Sequence, residues 1–296
     1  MNINHREGIA MDGRVWLITG ASRGMGACFA KKALEEGDCV AASARRPEAI
    51  TEALGESDHL LPVELDVTDQ DSIAAAVDKV IETFGRIDVL LNNAGYGIFG
   101  ALEETTDAET HAIYDTNVFG TMNVIRAVLP HLREQQSGRI VTIASMAGYA
   151  TDPGGALYDS TKFALVGLTE VLAQELKPFG IETMAVCPGM IRTNFFGSNS
   201  LKVPEHLLPA YDGTPARGAM EYCLSHDGRQ YGDPEKVAAF VYDVTTSTEP
   251  LPTWLPVGKD AMKKLFEKCE TMMEMVKPYY DRAVATSFPR TPRKEN

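Results

Sequence analysis

The sequence predicts an α/β fold in which one doubly wound parallel sheet of about seven strands carries helices on both faces. Two observations predict this class. Short, nearly continuous apolar segments alternate with longer amphipathic segments, and buried parallel strands have this continuous apolar character. The first apolar segment also ends in a glycine-rich turn that leads directly into a helical segment, which is how sheets of this class commonly begin.

The short apolar segments are the predicted strands. They lie at residues 15–19, 39–44, 60–65, 88–93, 139–145, 182–187 and 254–257. Because the carboxyl ends of parallel strands meet at one edge of a sheet, the residues at or just after these ends are expected to gather there. Gly20, Asn93, Ser145 and Pro188 occupy such positions.

Helices are predicted in the intervals between the strands. They lie at residues 25–36, 69–84, 107–135, 157–177, 234–243 and 260–276. Asp69 and Pro234 are typical of helix starts, and the sequence KPFG at 177–180 is typical of a helix end.

No internal repeat or low-complexity linker divides the chain. Residues 13–296 are therefore interpreted as one domain, preceded by a flexible arm at residues 1–12. Residues 194–232 contain several turn residues and are interpreted as a lid over the site, and the chain ends in a helical extension. The methionines of that extension are expected to be core residues: Met272, Met273 and Met275.

Composition and charge argue against several classes of function. The formal net charge of −13 and the lack of a basic cluster predict neither a nucleic-acid partner nor a membrane partner. No segment approaches the roughly 20 apolar residues of a membrane span. The five cysteines have no paired spacing and are interpreted as reduced residues of a cytoplasmic protein. The six histidines have no metal-ligand spacing, so no metal is expected.

The glycine-rich turn reads ASRGMG after Gly20 and is predicted to bind a pyrophosphate. Glycine permits positive φ and a close approach of the backbone, while the amides at the start of the next helix attract negative charge. The predicted contacts are Gly20, Ser22, Arg23, Gly24, Met25 and Gly26.

Tyr158 and Lys162 stand four residues apart, and Tyr158 is the only one of the ten tyrosines with a lysine at that spacing. Four residues is about one helical turn, so both side chains would project from the same face of a helix. A nearby cation favours the phenolate and lowers the pKa of a tyrosine from its usual value of about 10. Tyr158 is therefore a candidate general acid/base, although the pair by itself is also typical of a solvated surface.

These motifs together resemble the short-chain dehydrogenase/reductase family. The matching elements are TGASRGMG at 19–26, DV at 66–67, NNAG at 92–95, Asn117, Ser145, YxxxK at 158–162 and PGxxxT at 188–193. The resemblance covers roughly residues 13–195 and implies a Rossmann-like fold and an NAD(P)(H)-dependent oxidoreductase. It also implies a catalytic tetrad of Asn117, Ser145, Tyr158 and Lys162.

The resemblance implies a role for each tetrad residue. Tyr158 would donate a proton to a ketone oxygen that Ser145 orients, while hydride passes from the nicotinamide to the carbonyl carbon. Lys162 would hold the nicotinamide ribose and lower the pKa of Tyr158. Asn117 would anchor a water molecule that links Lys162 to solvent, and alcohol oxidation reverses these steps.

The end of the second predicted strand indicates which cofactor binds. NAD sites usually carry an acidic residue there, whereas this chain has Arg45 and Arg46. A guanidinium pairs well with phosphate oxygens, so these arginines and Arg23 favour NADP(H). By resemblance, the other cofactor contacts are Asp66, Val67, Asn93, Ala94, Gly95, Pro188, Gly189, Ile191 and Thr193, with Tyr158 and Lys162.

Aromatic residues after two strands suggest an apolar substrate pocket, although core packing explains them equally well. The aromatic candidates are Tyr96, Phe99, Phe195 and Phe196, and Met146 is a further candidate. A largely apolar secondary alcohol or ketone is expected, with a steroid-like molecule as one candidate. A 3-oxoacyl-carrier-protein reductase and a catalytically silent NADPH-binding regulator stay open as alternatives. By resemblance, the protein is expected to be a homodimer or homotetramer that associates through the helices containing Asn117 and Tyr158.

Overall fold

The computed structural model describes residues 13–197 and 200–288, so the arm predicted at residues 1–12 lies outside the described residues. The strands are β1 (Val15–Ile18), β2 (Cys39–Ala44), β3 (Leu60–Glu64), β4 (Val89–Asn92), β5 (Gly97–Ile98), β6 (Gly138–Ile143), β7 (Ile181–Pro188), β8 (Leu201–Lys202) and β9 (Trp254–Val257). The helices are α1 (Gly24–Glu35), α2 (Glu48–Leu54), α3 (Gln70–Phe84), α4 (Asp107–Tyr114), α5 (Thr121–Gln135), α6 (Ala156–Glu175), α7 (Pro215–Ser225), α8 (Pro234–Thr246), α9 (Lys259–Val276) and α10 (Tyr280–Val284).

The main sheet has seven parallel strands in the order β3-β2-β1-β4-β6-β7-β9. The predicted fold class is therefore confirmed. The strand order reverses between β1 and β4, and ligands of such sheets bind outside the carboxyl ends of the strands at this point. The four rim residues predicted from the sequence follow or end β1, β4, β6 and β7, so they lie along this edge.

Two apolar layers cover the sheet. Trp16 of β1 belongs to the cluster that packs under α1 and α8, whereas its neighbour Leu17 belongs to the cluster under α3 and α5. Successive strand side chains point to opposite faces, so a sheet that is covered on both sides needs apolar residues at consecutive positions. This requirement explains the continuous apolar segments of the sequence, and each fully buried side chain of this kind contributes roughly 1.5–3 kcal/mol.

The long helix predicted at residues 107–135 is interrupted. A π-helical segment, Asp115–Gly120, separates α4 from α5 and contains Asn117. In this segment the Thr121 hydroxyl donates to the Asn117 carbonyl oxygen at 2.9 Å. A Cβ at Gly120 would lie 2.8 Å from Cγ2 of Val67, so the segment packs closely on the loop after β3. Periodicity continues across such an insertion, which is why the sequence predicts one helix.

The predicted lid contains regular structure. Strand β8 pairs with β5 in a small parallel sheet, and α7 follows it. The Phe99 amide also donates to the Lys202 carbonyl oxygen at 3.0 Å, which extends the pairing by one bond. The strands β5 and β8 had no clear signal in the sequence, because a strand of two residues has no periodicity.

The C-terminal helix differs from the prediction. Ala261 is the buried residue of α9, and the expectation that its methionines lie in the core is wrong. Met272, Met273 and Met275 are 50%, 69% and 61% exposed. The described parts of the chain contain no helix with the length and apolar character needed to cross a membrane.

Candidate active site

The turn between β1 and α1 has the conformation that its glycines predict. Gly20 and Gly24 have φ angles of 66° and 58°, a region that strains other residues. Gly26 has no room for a side chain, because a Cβ there would lie 2.3 Å from the Gly20 carbonyl oxygen. Arg23 precedes α1 in an extended conformation, and Ser22 and Met25 are half-buried beside it.

Thr19 and Asn93 hold this turn against the loop after β4. The Thr19 hydroxyl accepts hydrogen bonds from the Asn93 and Ala94 amides at 2.9 and 3.1 Å. The Asn93 side chain donates to the carbonyl oxygens of Thr19 and Gly20, both at 3.0 Å. Thr19 was not among the predicted site residues, although its position directly before the first glycine was a usable signal.

Tyr158 and Lys162 lie on one face of α6, as their spacing predicts. The Lys162 ammonium lies 5.6 Å from the centre of the Tyr158 ring and donates to the Ile143 carbonyl oxygen at 2.9 Å. The Ser145 hydroxyl accepts the Ala147 amide at 3.1 Å, and its interaction with the Tyr158 hydroxyl lowers the pKa of the phenol. Ser145, Tyr158 and Lys162 therefore form one cluster at the carboxyl end of β6.

Burial sets the charge states of this cluster. Tyr158 is 9% exposed, and its loss of solvent raises the pKa of the phenol above the ordinary value, while the nearby Ser145 hydroxyl acts in the opposite direction. Burial also lowers the pKa of Lys162 to about 8. The predicted lowering of the pKa of Tyr158 by Lys162 is therefore not what the structure shows. Desolvation dominates, and the phenol keeps its proton at neutral pH.

Asn117 is buried next to this cluster. Its side chain donates to the Tyr96 carbonyl oxygen at 2.9 Å and to the Thr161 hydroxyl at 3.1 Å, and it accepts the Tyr96 amide at 3.1 Å. Thr161 belongs to α6, so this contact links the π-helical segment to the helix that carries Tyr158 and Lys162. A Cβ at Gly95 would lie 3.1 Å from the Asn117 side-chain oxygen and 3.9 Å from the Lys162 ammonium.

Two of the predicted pocket residues contact the Tyr158 ring. The ring centres of Phe99 and Phe195 lie 5.5 and 5.7 Å from it. Phe196 packs on Phe195 at 6.3 Å, and Tyr96 belongs to the same apolar cluster. Met146 does not, because it packs against a different cluster.

The residues predicted to bind the adenosine end of the cofactor lie after β2 and β3. Arg45 and Arg46 are exposed there. Partial burial acts to raise the pKa of Asp66, but hydrogen bonds from Thr68 and, less strongly, the charge of Arg45 hold it below its ordinary value. Val67 is buried. The Arg23 guanidinium donates to the Ser200 hydroxyl at 2.9 Å, which joins the glycine turn to the start of β8.

The loop after β7 completes the rim. The Asp260 carboxylate accepts the Met190 amide at 2.7 Å and occupies the space that a side chain at Gly189 would need. Ile191 forms an isolated bridge with Gly232. The Thr193 hydroxyl accepts the Phe195 amide at 3.2 Å. Pro188, at the end of β7, leads directly into this loop.

The chain resembles several known proteins. It is 40% identical over 261 residues to "Oxidoreductase BOA17" of Botryotinia fuckeliana, a match that covers 88% of this chain and 94% of that protein. It is 39% identical over 191 residues to "3-ketodihydrosphingosine reductase" of Bacteroides thetaiotaomicron, with 64% of this chain and 69% of that protein covered.

Solved structures show the same fold. A short-chain dehydrogenase from Streptomyces avermitilis superposes with a TM-score of 0.85 and 36% identity, covering 93% of this chain and all of that one. The structure of ElxO with bound NADP has a TM-score of 0.70 and 27% identity, covering 85% of this chain and 99% of that one. A 3-ketoacyl-(acyl-carrier-protein) reductase from Brucella melitensis with bound NADH has a TM-score of 0.69 and 26% identity, covering 83% and 96%.

A family comparison agrees with these similarities. Residues 14–203 match the model of the short chain dehydrogenase family, which is more than half of the chain. The matched segment contains the glycine turn, Asn117, Ser145, Tyr158 and Lys162. This protein belongs to the short-chain dehydrogenase/reductase family of oxidoreductases.

Proposed function

We propose that this protein is an NADP(H)-dependent oxidoreductase that interconverts a secondary alcohol and a ketone on a largely apolar substrate. The observation that carries the proposal is the position of the Tyr158 hydroxyl. Ser145 interacts with this hydroxyl and lowers the pKa of the phenol, Lys162 lies one helical turn away, and the rings of Phe99 and Phe195 pack on the Tyr158 ring. A protonated phenol beside a second hydroxyl and an ammonium can protonate a carbonyl oxygen in an apolar pocket.

The residues present fit a nicotinamide dinucleotide. The Gly26 backbone lies where any side chain would collide with the Gly20 carbonyl, and the nearest atom to a Cβ at Gly24 is 3.8 Å away. The turn is therefore closely packed at Gly26 and open at Gly24. The open space suits close approach of a pyrophosphate to the amides at the start of α1. Lys162 would hold the nicotinamide ribose. When bound, the cofactor supplies or accepts the hydride.

The choice of NADP(H) rests on the arginines. Arg45 and Arg46 are exposed after β2, where NAD-binding chains usually carry an acidic residue. One of the similar solved structures contains NADH and another contains NADP, so they favour neither cofactor. A 2′-phosphate beside Arg45 would gain charge-assisted hydrogen bonds that the 2′-hydroxyl of NAD cannot match.

The proposed chemistry uses the charge states of the cluster. Because burial keeps Tyr158 protonated, its hydroxyl can donate a proton to the substrate oxygen while the Ser145 hydroxyl hydrogen-bonds to the same oxygen. The nearby Lys162 ammonium stabilises the negative charge that develops on the Tyr158 oxygen as the proton leaves. Asn117 orients α6 through Thr161, and we propose that it also anchors the water that returns a proton to Lys162.

The aromatic cover of Tyr158 supports an apolar substrate. Phe99 directly follows β5, and Phe195 lies at the start of the proposed lid at residues 194–232. The relative named for 3-ketodihydrosphingosine as substrate suggests a ketone on a long apolar chain, and a steroid-like ketone offers similar surface. The similar 3-ketoacyl reductase keeps acyl thioesters as the alternative class.

The proposed organisation is a single domain that works as a homodimer or homotetramer. The helices that contain Asn117 and Tyr158 expose Phe119, Phe163 and Val171, which are 49%, 40% and 50% exposed. Apolar side chains on adjacent helices are typical of subunit interfaces.

The test is Tyr158→Phe, assayed by loss of NADPH absorbance with a panel of long-chain ketones, steroids and acyl thioesters. We expect turnover by the parent enzyme with at least one apolar ketone and a loss of about 10²–10⁴-fold in the variant. Tyr114→Phe is the matched control, because Tyr114 also lies beside α6 and its hydroxyl bonds to Ser160 at 2.9 Å. Equal rates for the parent and Tyr158→Phe would remove Tyr158 from the reaction. NADPH binding without turnover on the whole panel would favour the silent regulator.

A further inference from the structure

Helix α9 carries an apolar stripe that no other described part of the chain covers. The stripe consists of side chains at alternating intervals of four and three residues: Met262, Phe266, Cys269, Met273 and Val276. Met262 is 40% exposed, Phe266 61%, Met273 69% and Val276 55%. Cys269 is exposed as well. This alternation is the spacing of a helix that packs lengthwise against another helix.

The size of the stripe points to a protein partner. An 18-residue helix is about 27 Å long. Single exposed apolar side chains are ordinary on protein surfaces, but a continuous row of them along a helix of this length is typical of an interface. The net charge of −13 argues against an anionic membrane as the occupant.

We propose that α9 packs antiparallel against α9 of a second copy of this chain, around a twofold axis that crosses the helix midway between residues 267 and 268. In this register Phe266 faces Cys269 of the second copy, and Met262 faces Met273 of the second copy. Twofold symmetry repeats both contacts, so the stripe is complementary to itself from Met262 to Met273.

The charges beside the stripe favour this register. Lys263 and Glu270 flank the apolar row on the same side, seven residues apart. The antiparallel arrangement brings Lys263 against Glu270 of the second copy, twice by symmetry. A parallel pair would instead place Glu270 beside Leu265 of the second copy, where it gains no ion pair.

The stripe lies on the helix that supports the active-site rim. Asp260 accepts the Met190 amide at 2.7 Å, and the Ala261 carbonyl oxygen accepts the Tyr149 hydroxyl at 2.7 Å. The Lys264 ammonium forms an ion pair with Asp152, in the loop between Ser145 and Tyr158. Pairing of α9 would therefore fix a helix that holds two loops of the site.

The first test is disulfide cross-linking of the full chain. In the proposed register Phe266→Cys places a thiol opposite Cys269 of the second copy. Mild oxidation is then expected to double the apparent mass on a non-reducing gel. The two Cys269 residues of the parent are offset by three residues along the axis, about 4.5 Å, and are expected to cross-link little.

Two controls make the result specific. Phe266→Cys combined with Cys269→Ser should lose the cross-link, since only an antiparallel pair joins residues 266 and 269. Met275→Cys places an equally exposed thiol outside the stripe and should not cross-link. A cross-link that persists without Cys269, that forms equally from Met275→Cys, or that is absent from Phe266→Cys would overturn the proposal.

Charge reversal is the second test. In the Phe266→Cys background, Lys263→Glu should reduce the cross-linked fraction, because it places like charges together in both symmetry-related contacts. Adding Glu270→Lys should restore the fraction. Failure of the double reversal to recover the cross-link would contradict the proposed register. Cross-linking does not depend on turnover, so its outcome is separate from that of the proposed activity.

Discussion

Arg217 of α7 and Glu104 form a buried ion pair, with Nη2 of the arginine 2.5 Å from Oε1 of the glutamate. The two residues are 6% and 3% exposed. Glu104 also accepts the Ala101 and Leu208 amides at 2.9 and 2.8 Å. Burial acts to raise the pKa of Glu104, but these two hydrogen bonds and the charge of Arg217 hold it below the ordinary value. The pair therefore joins the proposed lid to the loop after β5.

We predict that Arg217→Met lowers the free energy of unfolding by about 3 kcal/mol, because it leaves a buried carboxylate without its cation. Urea denaturation followed by circular dichroism measures the loss. The double variant Glu104→Gln, Arg217→Met should lose less than the sum of the two single variants. Additive losses would show that the two side chains do not depend on each other.

Asp159 gives a prediction about pH. The residue is 4% exposed, and burial together with the charge of Asp152 raises the pKa of its carboxyl to about 7, although the Asp152 amide and Lys264 act in the opposite direction. The unfolded carboxyl titrates near pH 4. Between about pH 4 and about pH 7 the folded state binds a proton at Asp159 that the unfolded state does not bind. The free energy of unfolding therefore falls as the pH rises through this interval.

Asp159→Asn removes this titration while keeping the side-chain shape. We expect the variant to gain stability relative to the parent at pH 8, on the order of 2 kcal/mol, and to gain much less near pH 4. Thermal unfolding by calorimetry at both values measures the difference. An equal effect at the two pH values would mean that the carboxyl does not titrate as its burial requires.

Two helical glycines offer a matched comparison. A Cβ at Gly26 would lie 2.3 Å from the Gly20 carbonyl oxygen and 2.5 Å from the Asn93 side chain. A Cβ at Gly167 of α6 would meet no atom within 4 Å apart from the backbone of its own helix. Gly26→Ala should therefore lower stability and abolish NADPH binding in a fluorescence titration. Gly167→Ala should raise stability by about 0.5–1 kcal/mol. A Gly26→Ala protein with parental stability and affinity would contradict the packing of this turn.

Cofactor preference can be tested at Arg45. We expect Arg45→Asp to lower the ratio of kcat/KM for NADPH over NADH by at least about tenfold, since a hydrogen bond to a charged group contributes about 1.5–3 kcal/mol. Arg126→Asp, at an exposed arginine of α5, should leave the ratio unchanged. An unchanged ratio in Arg45→Asp would remove this residue from the cofactor site.

The features that could be predicted from the sequence are those that depend on near neighbours along the chain. The apolar segments predicted the seven strands because both faces of the sheet are covered, and the spacing of Tyr158 and Lys162 predicted their shared face because a helix turns once in about 3.6 residues. The glycine turn was predictable because Gly20 and Gly24 adopt positive φ.

The tertiary structure alone decided what depends on distant residues. The periodicity of residues 107–135 continues through the π-helical segment, so nothing in it revealed how Asn117 would meet Thr161. The charge pattern suggested a lowered pKa for Tyr158, but rings from separate parts of the chain bury the phenol and raise it. Desolvation depends on which residues cover a group in space, and spacing along the chain does not contain that information.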